Sequence, residues 1–187
     1  MLEAPDTADF SFVVADPVQH RDILLTLNIE YVGWVFREIE RTFGASVQDI
    51  TGLSLRQYVA RNLPKVFGEG PSQNIFYLLQ VGDDIAGMGG LRFLRPGVAE
   101  IKRLYVRPAY RGRNLGKHAL ERLLSDAHVL GYERVCLDTG NFMKAAHRLY
   151  EAHGFHDCAA YAGVEVPAAF HEGWRFMERM VSETPAP

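Results

Sequence analysis

No hydrophobic run in the sequence approaches the roughly 20 residues that a membrane-spanning helix requires. Only two cysteines are present, Cys136 and Cys158, and their spacing forms neither a CxxC motif nor a zinc site, so we expect two reduced thiols. The opening segment MLEAPDTADF lacks the apolar core of a signal peptide. These absences predict a cytoplasmic protein that does not bind membranes.

The sequence also lacks an excess of positive charge. Its 20 Lys and Arg stand against 23 Asp and Glu, which gives a net charge of −3. A general nucleic-acid-binding protein usually carries a strong basic excess, so we expect no nucleic-acid partner. A chain of 187 residues, 48% of them hydrophobic, can bury one large core. We predict a single domain over residues 1–187, with a disordered tail at about 181–187.

Apolar periodicity and turn residues predict a mixed α/β domain around a central sheet, in the order β-α-α-β-β-β-α-β-α-β-β. The predicted strands are Ser11–Ala15, Ile75–Val81, Ile85–Leu94, Ala99–Val106, Arg134–Asp138, Phe155–Tyr161 and Trp174–Met180. The predicted helices are Val18–Phe43, one from Leu55 to Leu63 that Pro64 ends, Leu115–Leu130, and one from Asn141 to about His153. A Gly, Pro and Ser-rich loop is predicted at Gly68–Gln73.

One segment, EIKRLYVRPAYRGRNLGK at 100–117, concentrates basic residues, and no acidic residue occurs between Glu100 and Glu121. Its pattern predicts a strand, a glycine-bearing loop and a helix N-terminus, where free N–H groups and the helix dipole suit a phosphate or pyrophosphate. Gly112 and Gly116 would let the backbone approach the anion, and Asn114 tolerates a positive φ. A solvated basic turn is the alternative interpretation. The basic residues of the segment are Lys102, Arg103, Arg107, Arg111, Arg113 and Lys117.

The loop RGRNLG, from Arg111 to Gly116, resembles the acyl-CoA pyrophosphate loop of the GNAT superfamily of N-acetyltransferases, Gln/Arg-x-x-Gly-x-Gly/Ala. Asn114 stands where that pattern has its middle Gly. The segment EIKRLYVRP before the loop looks like the family's fourth strand, and Asn141 with AxxLYExxGF, ending at Phe155, looks like its closing helix and strand. The resemblance covers roughly Ile75–Tyr161.

The resemblance implies a mostly antiparallel central sheet flanked by helices. It also implies acetyl-CoA as co-substrate, no metal, and transfer of an acetyl group to the primary amine of a small molecule or peptide. The fourth strand would splay from the next one and leave N–H groups for the pantetheine arm of the cofactor. A non-catalytic acyl-CoA-binding module is the alternative function, and the identity of the acceptor and a homodimer both stay open.

Three residues take catalytic roles in this resemblance. Glu100 would be the general base, the Leu104 N–H would polarise the thioester carbonyl, and Tyr150 would protonate the departing thiolate. The alternatives are a strand-end salt bridge from Glu100 to Lys102 or an Arg, and a core aromatic role for Tyr150.

The implied binding residues extend along the same strand, loop and helix. Asn141 would contact the cofactor or only cap its helix. The cofactor residues are Leu104, Tyr105, Val106, Arg111, Gly112, Arg113, Asn114, Leu115, Gly116, Lys117, Asn141 and Tyr150. Tyr31, Trp34 and Glu100 would line the acceptor site, although aromatic residues such as the first two more often belong to the core.

Overall fold

The structure, a computed structural model, describes residues 10–67 and 74–181. The predicted loop Gly68–Gln73 and nearly all of the predicted tail lie outside the described residues. Seven strands of the described chain form one sheet in the order β1-β2-β3-β4-β5-β7-β6. They are β1 (Phe10–Val14), β2 (Ile75–Val81), β3 (Asp84–Arg95), β4 (Val98–Val106), β5 (Arg134–Gly140), β6 (His156–Cys158) and β7 (Trp174–Met180).

All neighbouring strands in this sheet are antiparallel except β4 and β5, which run parallel. The predicted mixed α/β fold with a mostly antiparallel sheet is therefore confirmed. The helices are α1 (Arg21–Phe43), α2 (Val47–Thr51), α3 (Leu55–Val66), α4 (Leu115–Val129) and α5 (Lys144–Ala152), and 3₁₀ turns span Pro108–Tyr110 and Ala168–Gly173.

The helices cover both faces of the sheet because strand side chains alternate between the faces. On one face, Leu120 and Leu123 of α4 pack with Leu91 and Leu137 of the strands. On the other face, α1 and α3 pack on residues of β2 and β3, and this cluster contains Leu24, Leu27, Leu63, Phe76, Leu78 and Met88. The sheet is thus the middle layer, and any opening through it connects the α4–α5 side with the α1 side.

Three element predictions were wrong in detail. Helix α2 was missed because five residues show no helical period, although Ser46 and Asp49 form a capping box that marks its start. Pro64 does not end α3, which continues to Val66, because a proline in the last turn removes only one backbone hydrogen bond. The strand predicted at Phe155–Tyr161 is reduced to β6, since only three of its residues pair with β7.

Candidate active site

The sheet opens between β4 and β5. The ladder between them has only three residue pairs, from Val98–Arg134 to Glu100–Cys136. Beyond that point β4 continues along β3 to Val106, and β5 continues along β7 to Gly140. The two strands therefore diverge after Glu100, and backbone groups on their facing edges are available to a ligand.

A β-bulge lies in β4 beside this opening. Lys102 pairs with Gly90 and Tyr105 pairs with Met88, so Arg103 and Leu104 together oppose the single residue Gly89. Arg103 has a φ of 57°, which is rare for a side chain of this kind. A bulge bends its strand and redirects the groups on it. Strained backbone of this kind, which costs of order 1–3 kcal/mol, is concentrated at functional sites.

The loop before α4 has the conformation that its residue types favour. Gly112 has a φ of 80°, and Asn114, the N-cap of α4, has a φ of 59°. No side chain caps the helix at Asn114, so the first N–H groups of α4 stay available to an anion. The substitution of Asn for the usual middle Gly therefore preserves a left-handed backbone at this position.

Gly116 lies in the first turn of α4. A Cβ atom there would meet nothing closer than Leu149 Cδ2 at 3.8 Å and Val106 Cγ2 at 3.9 Å. The protein itself has room for a side chain, and a helical glycine costs roughly 0.5–1 kcal/mol relative to alanine. The missing side chain therefore leaves space in the cavity that Gly116 lines.

The basic residues of segment 100–117 do not act as one group. Arg107 donates to Glu30 from Nε at 3.0 Å and from Nη2 at 2.8 Å, so it joins β4 to α1. Lys102 and Arg103 lie within ion-pair distance of Glu165. Three of the six, Arg111, Arg113 and Lys117, remain at the loop, all of them exposed. The prediction of a single basic concentration was therefore only half right, because Lys102, Arg103 and Arg107 pair with carboxylates of other segments.

A cavity of about 420 Å³ lies at the opening between β4 and β5, and we call it the β4–β5 channel. Of the predicted site residues, those that line it are Tyr31, Trp34, Leu104, Tyr105, Val106, Arg111, Gly116 and Tyr150. Leu115 is buried and can offer only its backbone N–H. The exposed residues Gly112, Arg113, Asn114 and Lys117 lie on the loop outside the lining.

Asn141 does not cap α5, which begins three residues later at Lys144. Its backbone N–H donates to the carbonyl of Gly173 at 2.9 Å, and its side-chain Nδ2 donates to the carbonyl of Glu172 at 3.1 Å. Asn141 therefore joins the end of β5 to the start of β7. The capping interpretation was wrong, because the chain makes a turn through Phe142 and Met143 before the helix starts.

Tyr150 lies on the inner side of α5. It is 6% exposed, and its ring centroid lies 5.8 Å from that of Phe155. Burial raises the pKa of its phenol, and Tyr31 and Asp138 raise it further. Among the described residues no group forms a hydrogen bond with its hydroxyl. Tyr150 is thus a protonated phenol that belongs to the core and also lines the β4–β5 channel described above.

A second cavity of about 240 Å³ lies between α1 and the last 3₁₀ turn, and we call it the aromatic cavity. Much of its wall is apolar, formed by Val35, Phe36, Tyr58, Val166, Phe170 and Trp174. Tyr31, Arg103, Asp138 and Met143 line both this cavity and the β4–β5 channel. The two spaces therefore meet at these four residues. Trp34 belongs to the channel side.

A cluster of buried charges surrounds that junction. Lys102 Nζ lies 3.4 Å from Asp138 Oδ2 and 3.3 Å from Glu165 Oε2. Burial opposes the charge of Lys102, but Asp138, Glu100 and Glu165 raise its pKa, so it stays protonated. Burial also opposes the charge of Glu165, yet Lys102, Arg103 and Arg92 lower its pKa to about 2.

Glu100 lies at one side of this cluster, with its side chain fully buried. Its carboxylate accepts hydrogen bonds from Arg92 Nε at 3.1 Å and from the Tyr161 hydroxyl at 2.9 Å, and it lies 3.6 Å from Lys102 Nζ. These are the ion pairs that the alternative reading of the sequence described. Glu100 lines neither cavity, whereas Asp138, which sequence reasoning missed, lines both.

The sequence analysis identified neither Asp138 nor Glu165, and the sequence signals for these two carboxylates differ. Asp138 follows the apolar run Val135–Leu137 of β5, and an acidic residue near the end of a buried strand is a recognisable signal. Glu165 lies in the irregular segment between β6 and the last 3₁₀ turn, and nothing in the sequence around it indicates that it reaches β4.

Other features bear on what the site contains. Within residues 10–67 and 74–181, no group of three or more His, Cys, Asp or Glu side chains is placed to hold a metal ion. Cys136 and Cys158 are free thiols.

Within the described residues 10–67 and 74–181, no helix combines the length and apolar character needed to cross a membrane. The cytoplasmic location, the single domain and the absence of a nucleic-acid partner stay predictions.

Comparison with known proteins agrees with this geometry. Residues 36–155 match the model of the "Acetyltransferase (GNAT) family". The chain is 27% identical to the uncharacterized N-acetyltransferase YsnE of Bacillus subtilis over 132 residues, which cover 62% of this chain and 87% of that relative.

Solved structures show the same fold. An acetyltransferase from Streptococcus agalactiae superposes with a TM-score of 0.66 at 17% identity, covering 91% of this chain and 98% of that one. The yncA structure from Salmonella typhimurium contains its cofactor acetyl-CoA. It superposes with a TM-score of 0.57 at 18% identity, covering 96% of this chain and 98% of that one. The prediction of an acyl-CoA-dependent N-acetyltransferase is thereby confirmed at the level of family. The match over residues 36–155 includes the bulged strand, the uncapped loop and the helix that carries Tyr150, and this chain belongs to the GNAT family of acetyltransferases.

Proposed function

We propose that this protein transfers the acetyl group of acetyl-CoA to the primary amine of a small molecule or peptide by direct attack. The observation that carries the proposal is the junction of the β4–β5 channel with the aromatic cavity at Tyr31, Arg103, Asp138 and Met143. Two spaces that meet at the divergence of two strands suit a donor and an acceptor that react directly.

The residues of the channel fit coenzyme A. The uncapped first turn of α4 and the Arg111 side chain would hold its pyrophosphate, and the bare backbone of Gly116 leaves room for close approach. The edge of β4 along Leu104, Tyr105 and Val106 would bind the pantetheine amides. The acetyl-CoA in the yncA structure supports this assignment for the shared fold.

Acetyl-CoA supplies an acetyl group that is already activated as a thioester. The bulge at Arg103 redirects the Leu104 N–H, which would donate to the carbonyl oxygen as negative charge builds on it. Tyr150 keeps its proton because burial raises the pKa of its phenol. Its hydroxyl would give that proton to the departing sulfur.

The amine must lose a proton. With a lysine-like pKa of ~10.4, only about one molecule in 2,500 is neutral at pH 7. We propose Asp138 as the base, directly or through one water, because its side chain is 13% exposed and it lines both spaces. Trp174 Nε1 donates to Asp138 Oδ1 at 3.2 Å and orients it. Glu100, proposed from the resemblance alone, would instead position Lys102 and Arg92.

Asp138→Asn and Glu100→Gln, compared side by side, test this assignment. With a responsive amine from a panel assayed by thiol release, Asp138→Asn should lower kcat/KM at pH 7 by about 10²–10⁴-fold. The deficit should shrink as the pH approaches the pKa of the amine. Calorimetry should show unchanged acetyl-CoA affinity in both variants.

The pH dependence decides between the two carboxylates. A deficit in Asp138→Asn that stays equal at every pH would assign it a structural role. A deficit that shrinks with pH in Glu100→Gln, and not in Asp138→Asn, would make Glu100 the base. Tight acetyl-CoA binding with no turnover of any amine would favour the non-catalytic module.

A further inference from the structure

Among the charged side chains where the β4–β5 channel meets the aromatic cavity, Arg103 has the least complete set of hydrogen bonds and ion pairs. Its side chain is 16% exposed and its nearest ion-pair contact, from Nη2 to Glu165 Oε2, is 3.6 Å long. Its Nε is buried without a hydrogen-bond partner, and no other residue within 10–67 and 74–181 has such a side-chain atom. A guanidinium carries five N–H donors. A buried donor without a partner costs roughly 1–3 kcal/mol, so its presence calls for an explanation.

The backbone of Arg103 is strained at the same place. Its φ of 57° places a long side chain in a conformation that glycine adopts more readily. Its guanidinium also lies 5.7 Å from the centroid of the Tyr31 ring, at the wall shared by the two spaces. An unpaired hydrogen-bond donor and a strained backbone each cost free energy of folding. Both occur at Arg103, which lies between the proposed sites of the acyl donor and the amine acceptor.

The other charges of the cluster are matched within the protein. Glu165 has Arg92 Nη1 at 2.9 Å and Lys102 Nζ at 3.3 Å, so Arg103 is the most distant of its three cations. Asp138 has Lys102 and Trp174, and Glu100 has Arg92 and Tyr161. Among the residues that the structure describes, the site therefore has no unmatched carboxylate to attract a second ammonium group, and a polyamine is a poor fit.

We propose, on the basis of the acetyltransferase function proposed above, that the acceptor is a primary amine that also carries a carboxylate and an apolar or aromatic side chain. Arg103 binds the carboxylate, since a guanidinium matches a carboxylate with two parallel hydrogen bonds. The side chain enters the aromatic cavity among Phe36, Tyr58 and Trp174. The amine is then held at the junction with Asp138. Large apolar α-amino acids have this combination of groups.

Matched acceptor pairs test the proposal with the full-length protein. L-phenylalanine is compared with 2-phenylethylamine, and L-leucine with 3-methylbutylamine, which differ only in the carboxylate. Binding to the protein saturated with CoA is measured by calorimetry, so that no turnover is needed. The wild type should bind at least one amino acid at least tenfold more tightly than its decarboxylated partner, which corresponds to about 1.4 kcal/mol.

Arg103→Met should abolish that preference and leave the affinity for the decarboxylated partner within about twofold. Its melting temperature should not fall much, because the substitution also removes an unpaired buried donor. If the Met variant does not fold, Arg103→Gly provides the same test with a backbone that accepts the positive φ. Arg103→Lys keeps the positive charge but loses the planar guanidinium that donates two parallel hydrogen bonds, so it should retain part of the preference for the amino acid.

Equal affinity for both members of each pair, or a preference that survives in Arg103→Met, would overturn the proposal. So would a wild-type preference for succinyl-CoA over acetyl-CoA that Arg103→Met removes, because Arg103 would then bind a carboxylate of the acyl group. These failures differ from failure of the proposed function, in which acetyl-CoA itself does not bind or no amine is acetylated.

Discussion

Replacing Gly116 with aspartate should change stability and cofactor affinity in opposite directions. A Cβ at this position meets only Leu149 and Val106, at 3.8 Å and 3.9 Å, so the side chain fits the free protein. Aspartate is itself a poor helix former, so replacing the helical glycine should contribute only about 0.3 kcal/mol. An acidic residue in the first turn of α4 should add about 0.3–1 kcal/mol through the helix dipole. The melting temperature should therefore rise by a few degrees, at about 2–4 °C per kcal/mol for a chain of this length.

The same carboxylate would point into the space proposed for the pyrophosphate. We expect acetyl-CoA affinity to fall at least tenfold, or about 1.4 kcal/mol, as measured by calorimetry on the variant. Gly116→Asn is the matched control, because it has nearly the same size without the charge and should lose less affinity. Gly116→Ala tests the Cβ alone. Unchanged affinity in a folded aspartate variant would refute the assignment of this loop to the pyrophosphate.

Three further outcomes follow from the site. Tyr150→Phe should lower kcat by about 10²-fold or less with little change in KM for acetyl-CoA or in melting temperature, and an unchanged kcat would make it only a core aromatic. Glu100→Gln should lower the free energy of unfolding in urea by about 3 kcal/mol, because it breaks a buried ion pair; a loss near zero would contradict that role. Glu165 has its pKa lowered to about 2 from 4.5, so its contribution is complete above pH 4.5 and is lost as the pH falls toward 2. In that interval Glu165→Gln should lose less stability than the wild type.

Much of the fold could be predicted because its signals are local. Leu24 and Leu27 of α1 repeat at helical spacing, and β2 begins with the continuous apolar run 75–79. The loop at Gly112 and Asn114 was predictable from the few residue types that accept a positive φ.

The parts of the candidate site that the sequence did not predict depend on contacts between distant segments of the chain. Glu165 reaches Lys102 across 63 positions of the chain (165 − 102), and no local pattern encodes that contact. The positive φ of Arg103 arises from the bulge between two strands rather than from its own preference. The proposal of Asp138 in place of Glu100 as the base rests on the same kind of contact, since only the folded chain shows that Arg92 and Tyr161 surround Glu100.

The short ladder between β4 and β5 has a consequence for the lifetime of the protein. Three residue pairs join β4 to β5, whereas seven join β3 to β4 and seven join β5 to β7, so few backbone hydrogen bonds link these two parts of the sheet. The acyl donor proposed for the channel would occupy the gap where the ladder ends. It would stabilise the native state by about 2.7 kcal/mol at a concentration of 100 times Kd. Amide hydrogens along β4 beyond Glu100 would then exchange more slowly, and the abundance of the protein in the cell would follow the supply of its acyl donor as well as its synthesis.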